Sequence, residues 1–217
     1  MRPFLFYDQV WLLMKNHDDI TAIILTGGKS SRMGTDKSRL KIAGDSLVDR
    51  AVSISRKYIA SVLVSSNEIE QKRTGSVNYI ADIYSGLGPI SGIHSGLVNS
   101  KTEKIFVYSA DIVFGSDRLI NEIIEYPTQK KIVLPLFEGI PQYTFGIYSK
   151  SVLPVIEEML KGKDVDKPTP KNLIKKIEAE LIDFHKCIYF EEEKFVNLNT
   201  PADYERAKLI FEKGLSN

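Results

Sequence analysis

The residues best suited to chemistry lie in a glycine-rich stretch that follows an apolar run. Residues 21–25 (TAIIL) lead directly into residues 26–37, which read TGGKSSRMGTDK. Glycines let the backbone turn tightly and approach a ligand, and successive amide N–H groups in such a turn bind anions. Arg32 and Lys37 add positive charge. The stretch therefore predicts a loop that binds phosphate groups.

Two widespread phosphate-binding motifs do not match this loop. A Walker A motif needs a glycine about five residues before Lys29-Ser30, where this chain has Ile24-Leu25. The dinucleotide fingerprint GxGxxG is also missing, because Gly86-x-Gly88 is followed by Gly92, one residue too far along. A nicotinamide-binding Rossmann domain is therefore disfavoured.

Short β-branched runs alternate with amphipathic stretches along the chain. We expect strands at residues 22–25, 61–66, 78–81, 105–109, 132–137, 144–148 and 187–190. We expect helices around residues 47–58, 119–124, 151–160 and 201–211. Strand and helix in alternation predict parallel pairing, and hence a three-layer α/β fold with a mostly parallel central sheet. Ligands of such sheets bind at the carboxyl ends of the strands. Residues 161–171 predict an exposed loop that borders the site, or an insert.

The composition excludes several classes of protein. The 217 residues include 29 Lys and Arg and 28 Asp and Glu. This balance gives no overall field that would attract nucleic acid or anionic lipid, so we expect neither nucleic acid nor membrane as a partner. A single cysteine, Cys187, excludes an internal disulfide and a thiolate metal site, and it fits a cytoplasmic location.

The N-terminus is apolar and aromatic but makes a poor targeting segment. It reads MRPFLFYDQVWLLM, which Asp8 and Gln9 interrupt. It is also shorter than the roughly 20 apolar residues that a bilayer requires. We predict an extension outside the core fold over residues 1–19, with an extra packing helix as the alternative, and a single domain over residues 20–217.

The glycine-rich loop resembles the signature of nucleotidyltransferases that activate small phosphorylated molecules. The similarity is greatest to the molybdenum cofactor guanylyltransferases of the MobA type, whose signature is usually written LAGGxSxRMGxDK. Further similarities follow in the family's order: Ser65-Ser66-Asn67, Ala81-Asp82, Gly88-Pro89-Ile90-Ser91-Gly92-Ile93, Ala110-Asp111 and Asn197-Leu198-Asn199-Thr200-Pro201. The resemblance spans residues 21–211 and implies a Rossmann-like nucleotidyltransferase fold.

The resemblance implies GTP as co-substrate, molybdopterin as acceptor and Mg²⁺ as cofactor. Other cofactor-biosynthesis proteins and apo-molybdoenzymes would be its protein partners. The implied catalytic residues are Arg32, Lys37 and Asp111, of which Lys37 would contact the phosphates and Asp111 would hold Mg²⁺. The implied nucleotide- and substrate-binding residues are Leu25, Thr26, Gly27, Gly28, Lys37, Asn67, Asp82, Asp111, Asn197 and Asn199.

Nucleotidyl transfer needs two polyanions held in line and the charge on their oxygens neutralised. Mg²⁺ takes one or two protein carboxylates together with phosphate oxygens, which suits Asp111 at a strand end. Asp82 could accept hydrogen bonds from the N1–H and amine of guanine, or it could be an ordinary loop residue. Asn197 and Asn199 alternate with apolar residues, a pattern that places both amides on one face of a strand. Those amides could contact the acceptor or the groups around Mg²⁺. The alternative is that the two residues simply mark the end of a strand.

Two departures from the family pattern affect these expectations. Thr26 replaces the usual Ala, which would add a hydroxyl beside the nucleotide. Asp111 is followed by Ile112-Val113, where the family commonly has an apolar residue and Pro, so we expect a less rigid turn. Two alternatives stay open: transfer to another small phosphate, such as a sugar, polyol or lactate phosphate, and binding of nucleotide or cofactor without catalysis.

Overall fold

The computed structural model describes residues 16–26, 40–66, 77–114, 116–162 and 167–213. Its strands are β1 (Ile20–Leu25), β2 (Lys41–Ile42), β3 (Asp45–Ser46), β4 (Ser61–Ser65), β5 (Asn78–Ile80), β6 (Lys104–Ser109), β7 (Ile112–Val113), β8 (Ile132–Phe137), β9 (Ile140–Pro141), β10 (Phe145–Ser149), β11 (Glu180–Asp183) and β12 (Val196–Asn197). Its α-helices are α1 (Leu47–Ser55), α2 (Pro89–Asn99), α3 (Arg118–Ile124), α4 (Leu153–Leu160), α5 (Pro170–Lys176) and α6 (Pro201–Lys213).

Eight of the described strands form one large sheet in the order β11-β8-β10-β6-β1-β4-β5, with β9 paired to β8. The other four described strands form two small sheets, β2 with β3 and β7 with β12. In the large sheet, strand β10 is antiparallel to both neighbours and β9 is antiparallel to β8, whereas the other neighbouring pairs are parallel. The predicted mostly parallel sheet is therefore confirmed. The adjacent strands β6, β1, β4 and β5 run in the same direction, so their carboxyl ends meet at one edge.

Helices cover both faces of the sheet and enclose two hydrophobic clusters. Strand β1 contributes to both, because Ala22 and Ile24 lie in one cluster while Ile23 and Leu25 lie in the other. Apolar residues of α1, α3 and α6 complete the first cluster, and those of α2, α4 and α5 complete the second. A strand covered on both faces needs apolar residues at every position, which explains the continuous run in β1. The predicted three-layer architecture is confirmed.

One predicted strand is wrong. Residues 187–190 form no strand, and the edge strand is β11, which ends before them. The aromatic residues that suggested a strand are instead packed against one another: the rings of Phe184 and Phe190 stack with their centroids 4.4 Å apart. The turn between them is held locally, because Asp183 Oδ1 accepts the N–H of His185 at 3.1 Å. Clustering of the rings buries these side chains without extended backbone.

The predicted loop at residues 161–171 ends earlier than expected, because helix α5 begins at Pro170. Thr169 caps this helix, since its hydroxyl accepts the N–H of Asn172 at 3.2 Å. Proline suits the first helical position because its missing N–H would have no partner there.

Residues 1–15 lie outside the described residues, and the division into extension and domain stays a prediction. His17 is buried against the domain: its N–H donates to the carbonyl of Tyr58 at 2.7 Å, and its Nε2 lies 2.8 Å from Oδ1 of Asn121. Among the described helices, none has the length and apolar character needed to cross a bilayer.

Candidate functional site

Three strand ends are joined by a short chain of hydrogen bonds. After β1, the N–H and hydroxyl of Thr26 both donate to the carbonyl oxygen of Ser65, at 3.2 and 2.9 Å. After β4 and β5, the hydroxyl of Ser65 donates to Oδ1 of Asp82 at 2.8 Å. We call Thr26, Ser65 and Asp82 the strand-end chain. The hydroxyl that Thr26 adds is thus used within the protein, and it ties the start of the glycine-rich loop to the neighbouring strand.

Helix α2 packs closely on this chain because it has a glycine at the contact. A Cβ at Gly92 would come 2.6 Å from Cδ2 of Leu25 and 3.0 Å from Oγ of Ser65. Real Cβ atoms do not approach so closely, so any side chain at Gly92 would push on the hydroxyl that holds Asp82. The glycine that the sequence pattern singled out therefore lets the helix approach the site.

The segment that carries Asp82 is held on the same helix. The N–H of Ile83 donates to the hydroxyl of Ser95 at 2.8 Å, and the ring of Tyr84 packs edge-on against His94 with centroids 5.2 Å apart. His94 is buried, and burial lowers its pKa below the ordinary 6.5, so at neutral pH it packs as an uncharged ring.

Asp111 stands at the end of β6, in a turn that is fixed by its neighbours. The hydroxyl of Ser109 donates to its Oδ1, and its carbonyl accepts the N–H of Leu198 at 2.9 Å. Ile112 and Val113, where we expected a looser turn, form β7 and pair antiparallel with β12. The ladder to β12 gives the turn the restraint that a proline would otherwise provide.

The donor set near Asp111 fits Mg²⁺ in its chemistry. Mg²⁺ prefers oxygen ligands and usually takes only one or two from the protein. Asp111 supplies a half-buried carboxylate. Asn197 is paired with Ile112, the residue after Asp111, in the β7–β12 ladder, so its side chain supplies an amide oxygen in the same part of the structure. No group of three or more Asp, Glu, His or Cys side chains that could hold a metal occurs among the described residues. A dedicated protein cage is thus not part of the described site.

A cavity of about 650 Å³ lies by the chain that runs from the end of β8 through β9 to β10. In the sheet, β8 and β10 lie on one side of β6, which ends before Asp111, and β1, β4 and β5 lie on the other. Asn197 and Asn199 both line it, together with Pro141 and Gln142. Its other side chains include aromatic and basic residues, namely Phe137, Tyr143, Phe195, Lys171 and Arg206. We call this cavity the amide pocket. The structure thus brings the two predicted asparagines together, on the opposite side of Asp111 from the strand-end chain.

Sequence reasoning missed Lys171 and Arg206 as pocket residues. Lys171 is in the first turn of α5, at the end of the stretch predicted to border the site. The sequence therefore predicted its location near the site, but not its side chain as part of the pocket. Arg206 is on α6, where an exposed arginine looks like any solvated helix residue. Its Nη2 donates to the carbonyl of Glu193 at 3.3 Å, which holds the side chain near the pocket mouth.

The start of α6 is firmly capped. The carboxylate of Asp203 accepts the N–H groups of Asn199 and Thr200 at 3.0 and 2.8 Å, and the hydroxyl of Thr200 accepts the N–H of Asp203 in return. Burial alone would raise the pKa of Asp203, but the hydrogen bonds from Thr200 and Asn199 outweigh it and keep the pKa below the ordinary 3.8. This reciprocal cap fixes the backbone that carries Asn199.

Five predicted site residues lie outside the described residues: Gly27, Gly28, Arg32, Lys37 and Asn67. Of the rest, Leu25 is buried and its carbonyl accepts the N–H of Ala110 at 3.0 Å. Leu25, Thr26, Asp82 and Asp111 lie along one edge of the sheet, and Asn197 and Asn199 continue that line into the amide pocket. Their roles toward a ligand stay predictions.

The chain is similar to known proteins over most of its length. Residues 22–178 match the family model of the MobA-like NTP transferase domain. A probable molybdenum cofactor guanylyltransferase of Clostridium perfringens is 32% identical over 187 residues, which cover 85% of this chain and 94% of that protein. Another, from Pelotomaculum thermopropionicum, is 27% identical, with 88% and 93% covered.

A solved structure has the same fold. Molybdopterin-guanine dinucleotide biosynthesis protein A from Archaeoglobus fulgidus superposes with a TM-score of 0.71 at 19% identity, over 89% of this chain and 99% of that one. The family model covers well over half of the sequence, and the predicted family resemblance is confirmed. The chain belongs to the MobA-like NTP transferase family and is a nucleotidyltransferase.

Proposed function

We propose that the protein transfers GMP from GTP to the terminal phosphate of molybdopterin, in a Mg²⁺-dependent reaction that releases pyrophosphate. The observation that carries the proposal is the line of polar groups along one sheet edge. The strand-end chain lies at one end, Asp111 in the middle and the amide pocket at the other. A transfer between two bound substrates needs such an order: a nucleoside site, a site for the reacting phosphates and an acceptor site. The names of the relatives support guanine and the molybdenum cofactor as the substrates.

On the nucleoside side, Asp82 would select the base. Its carboxylate is fixed by the hydroxyl of Ser65, so an oxygen can be held toward a base that offers donors. Guanine offers N1–H and the 2-amino group, whereas adenine has an acceptor at N1. A base that leaves a buried acceptor unpaired loses about 1–3 kcal/mol for each such group.

In the reaction, an oxygen of the acceptor phosphate attacks the α-phosphorus of GTP. The new O–P bond forms as the bond from the α-phosphorus to the bridging oxygen breaks, and pyrophosphate leaves with that electron pair. Asp111 would hold Mg²⁺, which would neutralise part of the phosphate charge when it is bound. Lys37 and Arg32 would bind the triphosphate. No covalent intermediate with the enzyme is required, so positioning and charge neutralisation provide the catalysis.

On the acceptor side, the amide pocket offers the chemistry that a phosphorylated heterocycle needs. Phe137 and Phe195 pack with ring centroids 5.1 Å apart and, with Tyr143, give the pocket an apolar aromatic wall. Lys171 and Arg206 supply positive charge for the phosphate. Asn197 and Asn199 offer both donors and acceptors, which matches the mixed edge of a pterin.

The experiment that tests the proposal is an assay of pyrophosphate release with a mass-spectrometric search for the product. The purified chain is incubated with Mg²⁺, each of the four nucleoside triphosphates, and either molybdopterin or a panel of sugar, polyol and lactate phosphates. We expect pyrophosphate release only when GTP and molybdopterin are both present. The product should have the mass of the guanine dinucleotide form of the cofactor. A preference for CTP or UTP with a sugar phosphate would replace the acceptor and keep the enzyme class.

Binding without turnover would favour the non-catalytic alternative. Equilibrium binding of GTP and of molybdopterin is therefore measured on the same preparation, with an EDTA control for the metal. The proposal includes a cytoplasmic location and contacts with other cofactor-biosynthesis proteins or apo-molybdoenzymes. Cell fractionation tests the location, and co-purification with a tagged chain tests the contacts.

A further inference from the structure

The segment that carries Asp82 has little regular structure to hold it. Residues 81–88 join strand β5 to helix α2 and form neither strand nor helix. Ile83, the residue after Asp82, is 54% exposed, so packing of its side chain restrains the segment only weakly. The edge-on contact of Tyr84 with His94 joins two side chains and does not by itself fix a peptide group. The direction of the backbone at Asp82 therefore depends on polar contacts.

One such contact comes from the buried interior of helix α2. The N–H of Ile83 donates to the hydroxyl oxygen of Ser95 at 2.8 Å. Ser95 is 0% exposed and lies in an 11-residue helix whose residues 90–97 are all buried, so this acceptor has a fixed place. It lies three residues after Gly92, on the helix face that packs on the ends of β1 and β4. The same face of α2 thus meets the strand ends and the segment that carries Asp82.

The bond from Ile83 to Ser95 acts directly on the peptide group that follows Asp82. Because the peptide bond is planar, the N–H of Ile83 lies in one plane with the Cα and the carbonyl of Asp82. The other end of Asp82 is held by Ser65, whose hydroxyl donates to Oδ1 at 2.8 Å. Asp82 is therefore anchored at its backbone by Ser95 and at its carboxylate by Ser65. With either anchor alone, the rest of the residue would rotate more freely and the carboxylate would point in several directions.

Burial of Ser95 determines how it can act. A residue with no exposed surface cannot touch a nucleotide, so any effect on the reaction must pass through the segment that Ser95 holds. That segment is exposed at Ile83 and at residues 85–89, whereas the residues around Ser95 in α2 are packed. Loss of the hydroxyl would therefore loosen the segment locally and leave the packing of the helix in place.

We propose that Ser95 is a positioning residue for recognition of the base: it holds the peptide after Asp82, so that the carboxylate keeps one direction toward the nucleotide. It touches neither substrate and acts through Asp82. The inference rests on the proposed function, in which Asp82 selects guanine. Its consequence is that a hydroxyl inside helix α2 contributes to the preference for GTP and not to the affinity for the acceptor.

The test compares Ser95→Ala with Ser91→Ala. Ser91 lies one turn earlier in the same helix, is also 0% exposed, and its hydroxyl has no hydrogen-bond partner among the residues that the structure describes. Its variant therefore controls for loss of a buried helix hydroxyl without loss of the bond. For each protein we would measure kcat/KM for GTP and for ATP, KM for the acceptor, the melting temperature, and hydrogen exchange of peptides covering residues 81–87.

A net hydrogen bond of ordinary strength corresponds to about a two- to tenfold change in a rate or affinity. We expect kcat/KM for GTP to fall by that factor in Ser95→Ala, with less than about a twofold change for ATP and faster exchange at residues 81–87. KM for the acceptor should stay at the parent's value. Ser91→Ala should match the parent in its kinetics and in its exchange.

A double variant shows whether Ser95 acts through Asp82. Once Asp82 is replaced in Asp82→Ala, adding Ser95→Ala should narrow the preference for GTP no further, because residues that act as one unit are not additive. A role of Ser95 in the fold alone would lower the rates with both nucleotides in both backgrounds, and it would overturn the inference.

Unchanged exchange at residues 81–87, or an unchanged ratio of GTP to ATP rates in Ser95→Ala, would also overturn the inference while the proposed function stands. If the parent releases no pyrophosphate, the proposed function fails, and dissociation constants for GTP and ATP decide the inference instead. A ratio of these constants that is equal in parent and Ser95→Ala would refute it. If Asp82→Ala keeps the parent's preference, the inference fails together with the proposed role of Asp82.

Discussion

Ser65→Ala should reduce the discrimination in favour of GTP. Ser65 is 5% exposed, and its hydroxyl donates to Oδ1 of Asp82 at 2.8 Å. A hydrogen bond to a charged group contributes about 1.5–3 kcal/mol, and since Asp82 is only half-buried we expect a somewhat smaller contribution, about 1–2 kcal/mol. That free energy corresponds to about a 5- to 30-fold change in kcat/KM.

The loss should be selective, because the carboxylate is needed for the donors of guanine. Steady-state pyrophosphate release with GTP and with ATP gives kcat/KM for each nucleotide in parent and variant. We expect the value for GTP to fall by the factor above, the value for ATP to change by less than about twofold, and the preference to narrow accordingly. Ser55→Ala is the matched control, since Ser55 is fully buried and its hydroxyl has no partner in the described part of the chain.

Two results would refute this reasoning. If Ser65→Ala retains the parent's preference and rates, the hydroxyl does not orient a base-selecting carboxylate. If GTP and ATP lose equally, Ser65 acts by supporting the strand ends in general. In either case Asp82 would return to the alternative of an ordinary loop residue.

Two substitutions and one labelling experiment test other parts of the structure. Gly92→Ala should lower the free energy of unfolding by about 1–3 kcal/mol in urea titrations, because its Cβ would meet Leu25 and Ser65; an unchanged midpoint would show that the helix can shift freely. Asp203→Ala should lower the free energy of unfolding by about 0.5–2 kcal/mol at pH 7, measured in the same urea titrations, because it removes the cap of α6. Because hydrogen bonds lower the folded-state pKa of Asp203, this stabilisation is present above the ordinary 3.8 and is lost as pH falls through the folded value, so parent and variant should converge in acid; a constant difference would contradict the assigned cause. Burial raises the pKa of Cys187 to about 12, so iodoacetamide at pH 8 should label it only after unfolding, and fast labelling of the native protein would be inconsistent with its burial.

The sequence was most informative where a local pattern had one physical solution. A run such as residues 20–25 can be buried on both faces only in a covered parallel sheet, and the order of strand and helix then determined which ends meet. Cys187 and Phe190 were misread because ring stacking with Phe184 depends on distant packing that no short window contains. Arg206 was missed for a related reason. It is held by a contact with Glu193, more than ten residues away in sequence, and an arginine is not unusual on a helix.

The antiparallel placement of β10 has a consequence for how such a chain could acquire a new acceptor. Thr26, Ser65, Asp82 and Asp111, which we propose to serve the nucleotide and the metal, all precede β7, whereas the amide pocket is built from residues from Phe137 onward, apart from Pro89. The β6–β10 ladder joins the two parts through backbone bonds that do not depend on side-chain identity. Exchange of the part that follows β7 between relatives would therefore alter the proposed acceptor pocket and preserve the proposed nucleotide side.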